Sequence, residues 1–518
     1  MDRNEMIESL EKKDEIWDFI IIGGGATGIG TAIEGASRGY KVLLLEQNDF
    51  GKGTSSRSTK LIHGGVRYLQ QGNISLVLEA LKERGILGRN APHLVKNLPF
   101  IVPSYDWWEG PFYGIGLKLY DLLAGKEGFG KSKILSKEKT LELIPTIETE
   151  GLKGGVIYHD GQFDDSRLII NMARTAHEQG SILLNYVQVT DFLKQNSWIR
   201  GVIAHDLEND KEYHLDSHVV INATGVFSDQ LRYLDDKTAK PMIAPSQGIH
   251  IVLDKSFLPG DTAIMIPQTD DGRVLFAIPW HDRVIVGTTD TPVDEVMLEP
   301  SPLKEELDFL LSHAARYLSK DPGKKDVLSV FAGLRPLVKQ GDVKETAELS
   351  RDHTLHISPS GLITIAGGKW TTYRKMSEDT IDQAIVLAEL DERPSATKNL
   401  NIHGYHKNSD IFDQLSVYGS DAVEIKKLID EKPDYAQTIH PGSDTTVGEI
   451  IWAVRHEMAR TVEDFLSRRT RNLLLDAKTS IEMAPIVADW MARELRKDRK
   501  WQKSQVESYQ QLADNYLP

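Results

Sequence analysis

Three glycines near the N-terminus have the spacing that a phosphate-binding turn requires. Gly23, Gly25 and Gly28 match the pattern G-x-G-x-x-G and follow the apolar run at residues 19–22. The first glycine of this pattern permits a tight turn, the second lets backbone N–H groups approach a pyrophosphate, and the third allows close packing of the next helix. That helix, predicted at residues 27–38, would point the positive end of its dipole at the phosphates. The spacing predicts a dinucleotide cofactor.

An acidic residue completes this pattern. A second apolar strand is predicted at residues 42–45, and Glu46 follows it directly. An acid about 20 residues after the glycines can accept a hydrogen bond from a ribose hydroxyl, and its charge opposes a 2′-phosphate, which disfavours NADP. The alternative, a buried strand with a glycine turn and no ligand, leaves Glu46 unexplained.

The stretch at residues 51–69, GKGTSSRSTKLIHGGVRYL, is rich in glycine, hydroxyl and basic residues. We interpret it as a loop that lies against the cofactor. The hydroxyl groups that can donate hydrogen bonds to phosphate or ring oxygens belong to Ser55, Ser56, Ser58 and Thr59. The side chains that could face a substrate are those of His63, Arg67 and Tyr68.

Two later strands end in small residues. The strand predicted at residues 218–223 runs into Ala223, Thr224 and Gly225, which would let a cofactor lie against the backbone. A plain strand-to-helix turn is the alternative there. The strand predicted at residues 363–366 is followed by Gly367 and Gly368 and by a helix that starts near Thr371. Such a junction can hold a flavin, because the helix dipole stabilises negative charge on the N1 side of the reduced ring.

The segments between these motifs predict two further structural units. Alternating apolar residues predict an antiparallel sheet with strands at residues 249–253, 263–267, 274–279 and 283–288. The tail from about residue 395 has helical periodicity and predicts a separate helical domain. This tail contains five arginines that could form a lipid or partner site, although nearby acids favour a solvated helix face: Arg455, Arg460, Arg468, Arg469 and Arg471.

Composition sets outer limits on function. A chain of 518 residues with 40% hydrophobic and 26% charged residues predicts a globular protein of two or three domains. The net charge of −15 argues against nucleic acid as a partner, because nucleic-acid binding needs a concentrated basic face. The absence of cysteine excludes disulfides and thiolate metal sites, and we expect no metal. The charged start lacks a signal-peptide core, so we expect a cytoplasmic location or attachment to a membrane from the cytoplasmic side.

Several segments, taken in order, resemble the FAD-dependent glycerol-3-phosphate dehydrogenases of the D-amino-acid-oxidase-like flavoprotein superfamily. The resemblance covers nearly the whole chain. It is carried by the opening glycine motif and by SSRSTKLIHGGVRYL, YHDGQFDDSRL, INATGVFSD, SQGIHIVL, VGTTDTP, GLRPLV, AGGKWTTYRKM and the C-terminal AVRHEMARTVEDFLSRRTR.

The resemblance implies an α/β fold in which an antiparallel β-sheet substrate domain is inserted into a Rossmann-type FAD-binding domain, with an α-helical C-terminal domain. The expected FAD-binding domain comprises residues 16–75, 150–230 and 330–392. The expected substrate-binding domain comprises residues 76–149 and 231–329, and residues 393–518 form the helical domain.

The resemblance and the motifs together imply the residues of an FAD site. The predicted cofactor-binding residues are Gly23, Gly25, Ala26, Thr27, Gly28, Glu46, Gln47, Thr54, Ser55, Ser56, Ser58, Lys60, His63, Gly64, Gly65, Val189, Ala223, Thr224, Gly225, Gly333, Arg335, Gly368, Lys369, Trp370 and Thr371.

The implied substrate is sn-glycerol 3-phosphate, whose dianionic phosphate calls for charge-assisted hydrogen bonds. Arg67 and Tyr68 match family positions at the phosphate, and Arg335 and Lys369 match positions near the flavin ring and the reacting carbon. Thr372 is the remaining predicted substrate contact. The expected reaction moves the C2 hydride to flavin N5 and gives dihydroxyacetone phosphate.

A general base must take the C2 hydroxyl proton, and histidine titrates nearest neutral pH. His250 and His63 are the candidates, with His250 preferred because its strand belongs to the predicted substrate sheet. The alternative role for Arg335 and Lys369 is to stabilise the developing alkoxide. Tyr373 and Arg374 are expected to be structural.

Enzymes related to this family differ in the electron acceptor that they use. The dehydrogenases use membrane quinone, whereas the related oxidases use oxygen and carry an inserted segment that is not evident here, so we expect quinone. Residues 103–124 carry Trp107, Trp108, Phe112 and Tyr113, a composition suited to a lipid interface or to a packed core or oligomer contact. We expect a homodimer attached peripherally to the inner face of the membrane. The other classes considered are an NAD-linked dehydrogenase and a flavin-binding protein without turnover.

Overall fold

The computed structural model describes residues 1–11, 15–65, 73–267, 269–270, 272–339 and 352–518. The strands in these ranges are β1 Ile16–Ile22, β2 Val42–Leu45, β3 Leu61–Ile62, β4 Val95–Ser104, β5 Lys133–Ser136, β6 Gly154–Phe163, β7 Ile182–Leu184, β8 Val187–Gln195, β9 Trp198–Asp206, β10 Lys211–Asn222, β11 Ile243–Asp254, β12 Ala263–Ile266, β13 Leu275–Trp280, β14 Arg283–Gly287, β15 Thr291–Pro292, β16 Val327–Val338, β17 His353–Ile357, β18 Ile363–Gly367, β19 Thr438–His440 and β20 Ser443–Thr446.

The α-helices in the same ranges are α1 Arg3–Leu10, α2 Ala26–Ser37, α3 Ile74–Asn90, α4 Glu109–Ala124, α5 Lys137–Leu143, α6 Asp165–Glu178, α7 Ser228–Asp235, α8 Lys304–Ala315, α9 Tyr373–Leu387, α10 Ala422–Glu431, α11 Val447–His456, α12 Asn472–Leu475, α13 Ala477–Leu495 and α14 Arg499–Asp514. A short π-helix covers Asp464–Arg469.

The first sheet has the strand order β17-β18-β10-β1-β2-β7, and β9 and β8 extend it antiparallel to β10. Strands β18, β10, β1, β2 and β7 are parallel. Helix α2 packs against α6 and α9 beside this sheet. The apolar strands β1 and β2 are buried, as expected of parallel strands covered by helices. The predicted Rossmann-type unit is therefore confirmed.

The second sheet has the order β15-β11-β14-β13-β12-β4-β6-β3, with β16 beside β11 and β5 beside β6. Its pairs are antiparallel apart from β4 with β12. The boundaries predicted at residues 150 and 330 would place β6 and most of β16 in the FAD-binding domain, but both strands pair within this second sheet. Apolar periodicity identifies a strand without identifying the sheet it joins, which explains the difference.

The C-terminal region contains α10 to α14 together with the hairpin β19–β20. Its hydrophobic core includes Val252, Trp280, Ile285 and Phe331, which belong to the second sheet. Residues 393–518 were expected to form a separate domain, but their helices share a core with this sheet. The tail's own periodicity contains no information about that long-range packing.

The prediction of a solvated arginine face is wrong for three of the five arginines. Arg468, Arg469 and Arg471 are buried, and they form ion pairs with Asp49 and Asp165, far away in sequence. The acids that neutralise these arginines come from the cofactor-binding region rather than from the helical tail alone. Arg455 and Arg460 pair nearer the surface, with Glu494 and Glu208.

Arg374 is structural, as expected. Its guanidinium, on α9, donates two hydrogen bonds of 2.7 Å to the carboxylate of Glu83 on α3, and both side chains are buried. This ion pair joins two helices that pack beside the cofactor-binding sheet.

We predict that Arg374→Ala lowers the free energy of unfolding by about 3–5 kcal/mol, because it leaves the Glu83 carboxylate buried and unpaired. Lys304→Ala is the control, since Lys304 forms a solvent-exposed pair with Asp308 within one helix and its loss should leave the free energy of unfolding almost unchanged. Urea unfolding followed by circular dichroism measures both values. Equal losses in the two variants would contradict a structural role for the buried pair.

Candidate active site

The glycine turn connects the carboxyl end of β1 to the first turn of α2. The Gly23 N–H donates to the Leu45 carbonyl oxygen at 2.9 Å, which joins the turn to the end of β2. Gly25 is the N-cap residue of α2 and has no side chain that could cap the helix. The Ala26 N–H donates to Ser55 Oγ at 3.0 Å, so the predicted cofactor loop lies against this helix end.

Side chains are excluded sterically at two of the glycines. A Cβ added to Gly28 would lie 1.9 Å from the Gly23 carbonyl oxygen, and one added to Gly23 would lie 2.7 Å from the Ala223 carbonyl oxygen. Gly23 also has a φ of +111°, which favours glycine. The start of α2 can therefore approach the ends of β1 and β10 as closely as it does only because these positions lack side chains.

Glu46 lies at the end of β2 and lines the pocket beside the turn. Its Oε2 accepts a hydrogen bond from the Gly24 N–H at 2.6 Å, and its Oε1 accepts one from the Asn48 N–H at 2.8 Å. Burial raises the pKa of this carboxyl group, although the two backbone hydrogen bonds act in the opposite direction. The carboxyl group is thus held at the position where a ribose hydroxyl is predicted to bind.

The pocket brings together the ends of β1, β2, β10 and β18, the loop after β2 and the start of β8. The predicted cofactor residues that line it are Gly23, Gly25, Ala26, Thr27, Glu46, Gln47, Thr54, Ser55, Val189, Ala223, Thr224, Gly225, Gly368, Lys369 and Trp370. The Trp370 Nε1–H donates to the Ser55 carbonyl oxygen at 2.8 Å, which ties the second glycine junction to the cofactor loop.

Other lining residues were missed from the sequence. They include Asn48, Lys52, Gln188, Phe227, Gln230, Leu298, Pro336 and Met376. Asn48 lies between Glu46 and the predicted cofactor loop, and Lys52 lies inside that loop, so their positions in the sequence were an available signal. Leu298 and Pro336 come from outside the first sheet. Pro336 directly follows the predicted Arg335 in the motif GLRPLV, which was an available signal, whereas no motif marks Leu298.

The remaining predicted cofactor residues are not among those that line the pocket. Gly28 supports the turn, the Ser56 hydroxyl donates to the Gly51 carbonyl oxygen, and the Gly64 N–H donates to the Tyr120 hydroxyl. Gly65 has a positive φ, and Gly333 packs against Arg57. The His63 N–H donates to Thr371 Oγ1 at 3.3 Å.

Ser58 and Lys60 contact Asp165 behind the loop. Lys60 Nζ lies 2.7 Å from Asp165 Oδ2, and the Ser58 hydroxyl donates to the same oxygen at 2.7 Å. Burial lowers the pKa of Lys60 to about 7, even though the Asp165 charge acts to raise it. The structure therefore places both side chains where they support the loop, outside the lining of the pocket. Their assignment to the cofactor stays a prediction.

His250 and Arg335 lie on one face of the second sheet. Residues 246, 248 and 250 of β11 pair with residues 335, 333 and 331 of β16, so these alternate positions share a face. The loop runs over this face, because His250 Nε2 lies 2.9 Å from Thr59 Oγ1 and a Cβ on Gly333 would lie 3.0 Å from Arg57 Cβ. The two predicted catalytic side chains are thus brought to the boundary between the sheets.

The environments of these two groups differ. His250 is buried and stacked on Phe331, and its pKa is lowered well below its usual value by burial and by the charges of Lys60 and Arg335. Its imidazole is therefore neutral at neutral pH. The Arg335 guanidinium is oriented by Asp290 at 3.1 Å and by the Thr289 carbonyl oxygen at 2.9 Å.

The other predicted substrate contacts are Lys369, Thr372, Arg67 and Tyr68. Lys369 lines the pocket. The Thr372 hydroxyl donates to the Lys369 carbonyl oxygen at 3.3 Å. Arg67 and Tyr68 lie outside the described residues.

Residues 18–374 match the family model described as FAD dependent oxidoreductase, and residues 363–503 match the C-terminal domain of alpha-glycerophosphate oxidase. The mitochondrial glycerol-3-phosphate dehydrogenase of Mus musculus is 38% identical over 550 residues, with 99% of this chain and 75% of the relative covered. The chain belongs to the glycerol-3-phosphate dehydrogenase family. The mitochondrial enzyme of this family from Schizosaccharomyces pombe is 36% identical over 583 residues, covering 99% of this chain and 89% of the relative.

A solved structure of the family supports the same conclusion. The glycerol-3-phosphate dehydrogenase from Bacillus halodurans, complexed with FAD, superposes with a TM-score of 0.82 at 29% identity, covering 100% of this chain and 98% of that chain. The predictions of the family, of its fold class and of an FAD-dependent oxidoreductase are confirmed. FAD is the cofactor, which sets aside the NAD-linked alternative.

The pocket residues fit FAD. The uncapped start of α2 offers backbone N–H groups to a pyrophosphate, and the absence of side chains at Gly23 and Gly25 leaves space there. Glu46 can accept a hydrogen bond from a ribose hydroxyl of the cofactor. The junction at residues 368–370, which was predicted to contact the flavin, also lines the pocket.

We predict that Gly28→Ala weakens FAD binding by at least about tenfold, because the added methyl group must push α2 away from the Gly23 carbonyl oxygen. Gly116→Ala is the control, since a Cβ on Gly116, another helical glycine, would meet no described heavy atom within 4 Å. Flavin absorbance per protein and FAD titration measure the effect. Full flavin occupancy and unchanged affinity in the Gly28 variant would contradict the steric argument.

Proposed function

We propose that this protein oxidises sn-glycerol 3-phosphate to dihydroxyacetone phosphate and passes the electrons to membrane quinone. Bound FAD supplies the acceptor, flavin N5, for the hydride that leaves C2. The observation that carries the proposal is that His250 and Arg335 share one face of the second sheet, where His250 contacts the cofactor loop through Thr59. The names of the relatives supply the substrate class.

The cationic side chains have separate roles in this proposal. Arg67 and Tyr68 hold the phosphate, while Arg335 and Lys369 stabilise the oxygen of C2 as its proton leaves. Asp290 and the Thr289 carbonyl oxygen hold the Arg335 guanidinium in one orientation, so it needs little rearrangement when negative charge develops. Thr372, three residues after Lys369, contributes a further substrate contact.

Either His250 or His63 accepts the proton. The neutral imidazole of His250 is in the correct protonation state, but its Nε2 is already at hydrogen-bond distance from Thr59 Oγ1. A proton from the substrate could reach His250 through that hydroxyl. His63 belongs to the same predicted loop and lies four residues before Arg67 in the sequence.

We predict that Arg335→Ala slows reduction of the flavin by glycerol 3-phosphate about 100-fold or more while FAD stays bound, because the developing alkoxide loses an oriented cation. Anaerobic mixing with substrate, followed by the visible spectrum, measures the rate. Arg316→Ala, which removes an exposed arginine paired with Asp270, is the control and should leave the rate unchanged. An unchanged rate in the Arg335 variant would remove Arg335 from the site.

The proposal of a quinone acceptor requires a membrane contact, and the surface around α4 fits one. We call the exposed side chains of Trp107, Trp108, Phe112, Ile115, Leu119 and Leu122 the aromatic patch. Trp107 is 83% exposed, Ile115 73% and Leu122 76%, whereas Leu117 and Tyr120 on the opposite side are buried. This exposure contradicts the packed-core alternative for residues 103–124.

Exposed lysines lie near the patch. Lys118, Lys126 and Lys133, on α4 and shortly after it, are exposed and can meet anionic headgroups. In the ranges that the structure describes, none of the helices combines the length and the apolar character needed to cross a membrane. We propose that the aromatic patch attaches the protein peripherally to the inner face of the cell membrane. The expected homodimer is the other possible use of this surface.

We predict that replacing Trp107, Ile115 and Leu122 together by Ser abolishes flotation with quinone-containing anionic liposomes, because the patch then lacks apolar area to insert. Flavin reduction by substrate should be unchanged. Replacing the exposed Val386 and Ile411 by Ser is the control. If wild type fails to float and turns over rapidly with oxygen, the oxygen-using oxidase replaces this proposal; if the triple variant only changes the mass in sedimentation, the patch is a dimer contact.

A further inference from the structure

A loop in the pocket is held by residues that lie more than 400 positions later in the chain. We call residues 47–55 the pocket loop, because residues 47, 48 and 51–55 line the pocket. The chain segment that meets this loop contains Glu463, Arg468 and Arg469, which we call the C-terminal clamp. The clamp residues themselves are not part of the pocket lining.

The first contact is at Asp49. Its side chain is buried, and it accepts hydrogen bonds from Arg468 Nε at 2.5 Å and from Arg469 Nη1 and Nη2 at 2.7 and 2.9 Å. Burial alone would raise the pKa of Asp49, but the charges of Arg469 and Arg468 outweigh it and lower the pKa to about 2. Asp49 is therefore ionised and fixed by two guanidinium groups.

The second contact is at Lys52, which lines the pocket. Lys52 Nζ lies 2.5 Å from Glu463 Oε1 and 2.6 Å from Oε2. Arg468 Nη1 donates to Glu463 Oε1 at 2.7 Å, so Arg468 joins the two contacts. Asp49 pairs with Arg468, Arg468 pairs with Glu463, and Glu463 pairs with Lys52. Asp49 and Lys52 both belong to the pocket loop, so the C-terminal clamp contacts this loop at two positions.

We propose that the C-terminal clamp is a positioning element for FAD: it holds the pocket loop in the shape that binds the cofactor. Two anchors only three positions apart restrict the backbone between them, and that backbone and its neighbours form one wall of the pocket. A loop that is ordered before binding loses less conformational freedom when the ligand arrives. The proposal rests on this pocket being the FAD site, and it is independent of the substrate and the electron acceptor.

The test uses Glu463→Gln, because glutamine keeps the volume of the side chain and removes the charge that joins Lys52 to Arg468. The matched control is Asp421→Asn. Asp421 is also in the C-terminal region and is similarly inaccessible, and it pairs with Arg174 and His403 at another interface. If Glu463 had only a structural role, the two variants would bind FAD with similar affinities.

We predict that Glu463→Gln raises the Kd of FAD about tenfold or more, whereas Asp421→Asn changes it by less than about twofold. Apoprotein titrated with FAD, followed by flavin fluorescence, gives the Kd, and circular dichroism and Tm report folding of each variant. Saturating FAD should restore the rate at which substrate reduces the flavin in Glu463→Gln. Asp49→Asn supplies a second measurement if Glu463→Gln does not fold.

An FAD Kd within about twofold of wild type in Glu463→Gln, or an equal increase in Asp421→Asn, would overturn the proposal. Failure of the proposed function gives a different result. In that case wild type with FAD bound would not be reduced by glycerol 3-phosphate, and the order of FAD affinities among the variants would still decide the role of the clamp.

Discussion

The close approach of helix α2 to the end of strand β1 is the constraint on which the rest of the cofactor site depends. Because residue 28 is glycine, the start of α2 can pack against the Gly23 carbonyl oxygen. A Cβ at position 28 would clash with that oxygen. This approach places the uncapped end of α2 beside Glu46 and the pocket loop. An anion that binds there meets backbone N–H groups already fixed by the sheet, and the charge of the helix end needs no side chain to supply it.

Charge is distributed unevenly around this site. The chain carries a net charge of −15, yet Arg468, Arg469 and Arg471 are buried next to the cofactor-binding region. Each pairs with an acid that precedes the C-terminal region by hundreds of residues, either Asp49 or Asp165, and Arg468 also pairs with the nearby Glu463 and Asp464. Buried ion pairs of this kind add little net stability, because desolvation offsets most of their attraction. Here they join the C-terminal region to the pocket loop and to Asp165, which also contacts Ser58 and Lys60.

Local sequence patterns predicted much of this structure. The strand, turn and helix from residue 16 to residue 45 were predicted because their periodicity and glycine spacing are local properties. The sheet membership of β6 and β16 and the burial of the three arginines depend on partners that no local pattern names. The same limit applies inside the site, where Glu46 and Ser55 were predicted from motifs but Leu298 and Pro336 were missed. The role of the Lys60 side chain could not be predicted from local sequence, because its partner Asp165 lies 105 residues later in the chain.

The shared core of the second sheet and the C-terminal helices has a consequence for biosynthesis. Val252, Ile285 and Phe331 pack against residues as late as Ala513 and Tyr516, and the Val330 N–H donates to the Tyr516 carbonyl oxygen at 2.8 Å. A nascent chain on the ribosome therefore presents one uncovered apolar side of this sheet until residue 516 has emerged. This core is complete only when residue 516 is present, and a chain truncated earlier carries an apolar surface that chaperones and proteases recognise.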